Sequence, residues 1–184
     1  WCGLAGLAVL AACDGSSGPA GGPEGLTLTP VDSGYDFSVF LAAPPGDPSR
    51  LMIVERGGRI LLRKNGARQD SAFLNLTALT SPATGEYGVY SIAFHPDYAQ
   101  NHRLFVYYAD LNGDSQLAEV LADASFDHAD PTSLRPILSQ SQVPNTVYYG
   151  GTIGFGPDGM LYFGLGDGAP VESLPLAPQD SSSL

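Results

Sequence analysis

Apolar residues along this chain arrive in short runs separated by turn residues, at the length of strands and well short of a helix. Residues 37–42, 50–54, 59–63, 90–94, 103–107, 116–121, 152–155 and 160–165 are each rich in β-branched, aromatic or aliphatic side chains. Turn chemistry lies between them: Lys64-Asn65-Gly66, Asn112-Gly113 and Gly156-Pro157-Asp158-Gly159. Asn-Gly closes a tight hairpin, and in the third segment proline presets φ, aspartate bonds its own backbone and glycine accepts φ > 0. No long amphipathic helix is visible. The runs also repeat: Leu51, Leu104 and Leu161 hold equivalent places in three hairpins, 53 and then 57 residues apart. A four-stranded propeller blade takes about 40–50 residues, more with longer loops. The pattern predicts an all-β chain, a partial β-propeller of about three blades. An open sandwich would use the same strands, but the near-constant spacing favours the propeller.

The first residues have another character. Residues 1–13 are apolar and uncharged, too short to span a bilayer but suited to a signal-peptide core. Leu10-Ala11-Ala12-Cys13 resembles the lipobox of bacterial lipoproteins, and residues 14–25, rich in glycine, serine and proline, read as a flexible tether. The resemblance implies lipidation at Cys13, export to the periplasm or cell envelope, and contact with membrane through a lipid anchor only. A buried apolar helix with an incidental cysteine is the alternative. The chain opens at Trp1 without a basic stretch ahead of its apolar core, so further residues are expected upstream. Cys2 and Cys13 are its only cysteines, so no disulfide or thiolate metal site is expected in the folded part.

Composition narrows the function classes. With 43% hydrophobic and 15% charged residues among 184, the chain can bury a core. The net charge of −11 and the scattering of its 8 basic residues exclude a phosphate-backbone footprint, and with it a nucleic-acid partner. Glycine clusters can cradle phosphate, but Gly164-Leu165-Gly166-Asp167-Gly168-Ala169 lacks the third glycine of a dinucleotide turn and no Gly-Lys-Ser/Thr follows it. Asp110-Leu111-Asn112-Gly113-Asp114 begins like a calcium loop, then has Ser115 at the turn-glycine position and Leu121 where glutamate is needed, so an Asn-Gly turn is expected. His95, His102 and His128 show no ligand spacing, and no Gly-x-Ser-x-Gly occurs. Tyr107-Tyr108 and Tyr148-Tyr149 are either stacking platforms or core and rim packing.

Several blocks together point to a family. "DPSRLMIVERGGRI", "GEYGVYSIAFHPDYAQNHRLFVYYAD", "ADPTSLRPIL", "YYGGTIGFGPDGMLYFGLGDG" and "APQDSSSL" occur in the order seen in soluble sugar dehydrogenases that use pyrroloquinoline quinone (PQQ). The chain from about residue 26 to 184 resembles this glucose/sorbosone dehydrogenase type. The resemblance implies a six-bladed propeller with PQQ over the central channel, residues 26–184 being its N-terminal half. It also implies a sugar substrate oxidised at its C1 hydroxyl to a lactone, with an electron carrier as the final acceptor.

The same resemblance places site residues. Where the family has His-Asn-Gly-Gly, with histidine as base, this sequence has Tyr148-Tyr149-Gly150-Gly151. A phenol, with an ordinary pKa near 10, is a poor base at neutral pH. Asp167 matches the aspartate that orients the histidine, although Ala169 replaces the glycine after that turn; without the histidine, a turn aspartate capping its own backbone is the favoured role of Asp167, and a substitute base is the alternative. Glu86, in Gly85-Glu86-Tyr87-Gly88, matches an acidic or amide residue near the cofactor, and Gly150 and Gly151 would let a flat cofactor approach the backbone. The quinone's cationic clamps and the family's main calcium site lie beyond residue 184, and no metal ligand is assigned here. The alternative is a non-catalytic propeller that binds carbohydrate or a protein partner, with Tyr148 and Tyr149 as contacts.

Overall fold

The computed structural model describes residues 27, 29–80, 86–142 and 147–166. Tyr35–Leu184 form one compact unit and Trp1–Gly34 another, whose described part contains neither helix nor strand. The described residues of the larger unit hold ten strands and one short helix: β1 (Ser38–Ala42), β2 (Arg50–Glu55), β3 (Arg59–Lys64), β4 (Ala67–Asn75), β5 (Gly88–Phe94), α1 (Tyr98–Asn101), β6 (Arg103–Ala109), β7 (Ser115–Ala122), β8 (Ala129–Gln140), β9 (Gly150–Phe155) and β10 (Leu161–Leu165).

These strands build two complete antiparallel sheets, β1-β2-β3-β4 and β5-β6-β7-β8, and a third hairpin, β9-β10. Within each sheet, spatial order follows chain order, so every connection is a local turn. The first strands stand side by side, β1 against β5 and β5 against β9, as the inner strands of successive blades do. The chain is a partial β-propeller.

Burial explains the sequence pattern. The middle sheet is covered on both faces, so β6 is buried along nearly its whole length. Leu104, Val106 and Tyr108 pack toward Met52, Val54, Ile60 and Leu62 of the first sheet. Their neighbours Phe105, Tyr107 and Ala109 pack toward Ile153 and the β9-β10 hairpin. Period-2 alternation thus gives one strand two cores, and a strand buried on both sides reads as a continuous apolar run. Each fully buried side chain such as Leu104 or Val106 contributes about 1.5–3 kcal/mol.

The expected strands occur with ends moved by a few residues. β4 and β8 were not expected, because they are the outer strands of their sheets and mostly exposed. β8 carries Pro131 and Pro136, which an edge strand tolerates since it needs hydrogen bonds on one side only. On the flank of the first two sheets, Arg50 at the start of β2 reaches Asp127 in the β7–β8 connection at 2.9 Å, and Lys64 reaches the same carboxylate at 2.6 Å.

Candidate functional site

The glycine-rich stretch is explained by close approach of backbone to backbone. Tyr148 sits at φ +62° and Gly150 at φ +81°, so the chain turns sharply as it enters β9. A Cβ on Gly166 would lie 1.6 Å from the Tyr148 carbonyl oxygen, and one on Gly150 would lie 2.4 Å from the Gly166 nitrogen. The entry to β9 and the exit of β10 therefore touch through bare backbone. Gly150 can adopt the left-handed region freely, whereas Tyr148 is held there at a cost that surrounding contacts must offset.

Those contacts come from the neighbouring blade. The Tyr148 N–H donates to the Glu86 carboxylate at 2.9 Å. The Tyr107 hydroxyl donates to the Tyr149 carbonyl, and lies 3.0 Å from the Ser115 hydroxyl. The Tyr149 hydroxyl donates to the Gly113 carbonyl at 3.0 Å, and the Tyr90 hydroxyl to the Glu86 carbonyl. The rings stack in sequence: Tyr107 on Tyr90 at 5.4 Å, Tyr90 on Tyr149 at 5.9 Å, with Tyr87 edge-on to Tyr149 at 5.8 Å. Lower down, the Ile153 N–H donates to Ser91 Oγ at 3.2 Å, joining β9 to β5.

Burial sets the chemistry of these phenols. Desolvation pushes Tyr107 up to about 12, against the opposing hydrogen bond with Ser115. Burial likewise raises Tyr90 and Tyr149 well above the ordinary phenol value. All three keep their protons at neutral pH and act as fixed donors. Arg56 adds a positive charge nearby: its carbonyl accepts the Val89 N–H at 2.9 Å, and its guanidinium lies 4.1 Å over the Phe37 ring.

Of the residues singled out in the sequence, Glu86, Tyr148, Gly150 and Gly151 come together at the end where β5 and β9 begin. Cys13 and Asp167 lie outside the described residues, as do the apolar leader and the tether. The two tyrosine pairs divide: Tyr148 is 46% exposed, while Tyr107, Tyr108 and Tyr149 are buried and pack the core. Sequence reading missed Tyr90, Ser91, Arg56 and Gly166 as site supports. The strand alternation that puts Tyr107 on the Phe105 face was readable, but the hydrogen bonds were not.

The remaining candidates are structural. Asp110 spends one carboxylate oxygen on the Asn112 and Asp114 N–H groups and the other on Gln116. His95 Nδ1 accepts the Asp97 N–H at 3.0 Å, and the His102 ring stacks on Phe126 at 4.4 Å. Among the described residues no group of three or more His, Cys, Asp or Glu side chains could hold a metal ion. Two open hollows lie away from Glu86 and Tyr148. One, of about 480 Å³, lies over β9-β10 between Thr152 and Phe163; the other, of about 470 Å³, lies among Leu41, Phe94 and Phe155.

Comparison with known proteins places this geometry. Residues 40–184 match the Glucose / Sorbosone dehydrogenase family. An uncharacterised protein of Synechocystis is 30% identical over 161 residues, covering 82% of this chain and 38% of the relative. Hedgehog-interacting protein of mouse is 31% identical over 143 residues, covering 69% of this chain and 20% of that protein. Among solved structures, the PQQ-bound aldose sugar dehydrogenase of Streptomyces coelicolor superposes with a TM-score of 0.64 at 26% identity, covering 78% of this chain and 42% of that one. The chain thus spans about two fifths or less of the length of these proteins. With strand order, blade repeat and site-bearing segment inside the matched range, the chain belongs to the glucose/sorbosone dehydrogenase family.

Proposed function

We propose that this chain forms part of the wall and mouth of a PQQ-dependent sugar dehydrogenase, oxidising a sugar C1 hydroxyl to a lactone. The observation that carries the reading is the convergence of Glu86, left-handed Tyr148, Gly150 and Gly151 at one end of the inner strands, inside the family-matched segment.

The residues present fit one side of a flat, anionic ring system. Gly150 is exposed and Gly151 half-buried, so the backbone is open to close approach. The exposed Tyr148 ring offers a stacking surface. When bound, PQQ accepts two electrons and the C1 hydrogen as hydride from the sugar. The hydroxyl proton must go to a base of the protein. Tyr148 stands at the family's base position, and a neutral phenol serves better as hydrogen-bond donor or ring contact than as base. We therefore assign proton abstraction to Asp167 and sugar contact to Tyr148. Export and lipid anchoring through Cys13 place the reaction at the cell envelope, with an electron carrier as acceptor.

The exposure of Tyr148 at the base position favours a second reading, a propeller that binds carbohydrate or a protein partner without redox chemistry. The test uses the complete protein supplied with PQQ and Ca2+, following sugar-dependent reduction of a dye. Turnover that disappears in Asp167→Asn supports the first reading. Tight quinone binding without sugar-dependent reduction supports the second, and failure to bind PQQ removes the redox function.

A further inference from the structure

Glu86 was expected to touch the cofactor. Its carboxylate accepts the main-chain N–H of Tyr148, 62 residues away and in the next blade. The backbone of Glu86 is itself pinned, because its carbonyl accepts the Tyr90 hydroxyl. Tyr90 is fixed in turn by stacking on Tyr107 and Tyr149. On the other side of the turn, the Tyr149 carbonyl accepts the Tyr107 hydroxyl. Two consecutive residues of the blade-three turn are thereby held by blade-two side chains, one by a carboxylate and one by a phenol. Between the two anchors Tyr148 adopts φ +62°, a conformation a tyrosine avoids without support, and its ring stays exposed.

We propose that Glu86 is a positioning residue: its carboxylate clamps the Tyr148 main chain in the left-handed region and so aims the exposed phenol ring into the mouth. A hydrogen bond from an amide to an ionised carboxylate is stronger than one between neutral groups, which suits it to hold a strained turn. The clamp crosses the boundary between sheets, so the direction of Tyr148 depends on how blades two and three are seated. That this direction matters for sugar contact rests on the function proposed above; the clamp itself does not.

The test is amide-resolved hydrogen–deuterium exchange on the full chain, with no quinone or sugar present. Glu86→Ala is expected to speed exchange at the Tyr148 amide about tenfold while amides of residues 104–108 keep their protection. Glu86→Gln, whose amide oxygen still accepts the N–H through a weaker, uncharged bond, is expected to exchange faster than the parent and slower than Glu86→Ala. Unchanged exchange in Glu86→Ala, or exchange in Glu86→Gln as fast as in Glu86→Ala, overturns the proposal. Should Glu86→Ala loosen residues 104–108 as well, the double variant with Tyr148→Gly decides. Glycine needs no clamp at φ > 0, so regained protection supports the positioning role and its absence sinks it. Because the readout needs no turnover, an inactive protein would count against the proposed function and leave this result standing.

Discussion

Removing one phenol oxygen from two buried tyrosines should change stability in opposite directions. Tyr107 is fully buried, and its hydroxyl donates to the Tyr149 carbonyl and meets the Ser115 hydroxyl at 3.0 Å. Tyr107→Phe keeps the ring but leaves a buried carbonyl without that donor. Stranding a buried polar group costs about 1–3 kcal/mol, so a loss of about 2 kcal/mol is expected. At this chain length that is about 4–8 °C in Tm. Tyr98 is 2% exposed and makes ring contacts with Phe94 at 4.6 Å and Phe126 at 5.4 Å, but its hydroxyl oxygen has no hydrogen-bond partner among the described residues. Tyr98→Phe keeps both ring contacts and removes an unpaired polar atom, for an expected gain of about 1 kcal/mol. Urea unfolding at neutral pH, with the slope m unchanged between variants, measures both. Equal losses in the two variants, or a greater loss for Tyr98→Phe, would refute the hydrogen-bond argument and leave ring packing as the sole determinant.

Two further outcomes are expected. Gly166→Ala puts a Cβ 1.6 Å from the Tyr148 carbonyl oxygen and should cost about 3 kcal/mol, whereas Gly154→Ala, with nothing within 4 Å, should stay within about 0.5 kcal/mol; thermal melts of the pair check this. Burial would raise the Glu119 carboxyl, but hydrogen bonds from Arg103 and Arg135 more than offset it and hold the group below its ordinary value near 4.5. A carboxyl lowered by folding stabilises above its unfolded value, and that contribution fades as pH falls through the folded one. Acid unfolding below pH 4.5 should therefore be shallower in Glu119→Gln, which should also lose about 1 kcal/mol at neutral pH. An acid limb identical to the parent's would contradict the assignment.

The fold was legible wherever burial was symmetrical. β2, β5, β6 and β7 are buried over most of their length and β3 over its apolar middle, so their apolar runs stand out, and the turns at Asn65-Gly66 and Asp158-Gly159 carry their own chemistry. β4 and β8 escaped because an outer strand is specified by its pairing with β3 or β7, and that pairing leaves little trace in an exposed sequence. At the site, resemblance pointed to Glu86 and Tyr148, and the structure brought them together. What sequence could not carry is direction: whether Tyr148 or Tyr149 faces outward depends on a left-handed turn held from another blade. The need for glycine at 166 is equally non-local, since the atom it avoids lies 18 positions earlier.

Strand order equal to chain order has a consequence for how the molecule is made. Each sheet is complete within a contiguous stretch, Ser38–Asn75 for the first and Gly88–Gln140 for the second, so no strand waits for a distant partner. Short loop closures are entropically cheap and fast, and a nascent chain can pair each blade soon after its last strand leaves the ribosome. The Arg50–Asp127–Lys64 contact and the Glu86–Tyr148 clamp join residues 62 to 77 positions apart, so they form only after two blades exist. Synthesis would thus proceed blade by blade, with the mouth taking shape when β9 docks on β5.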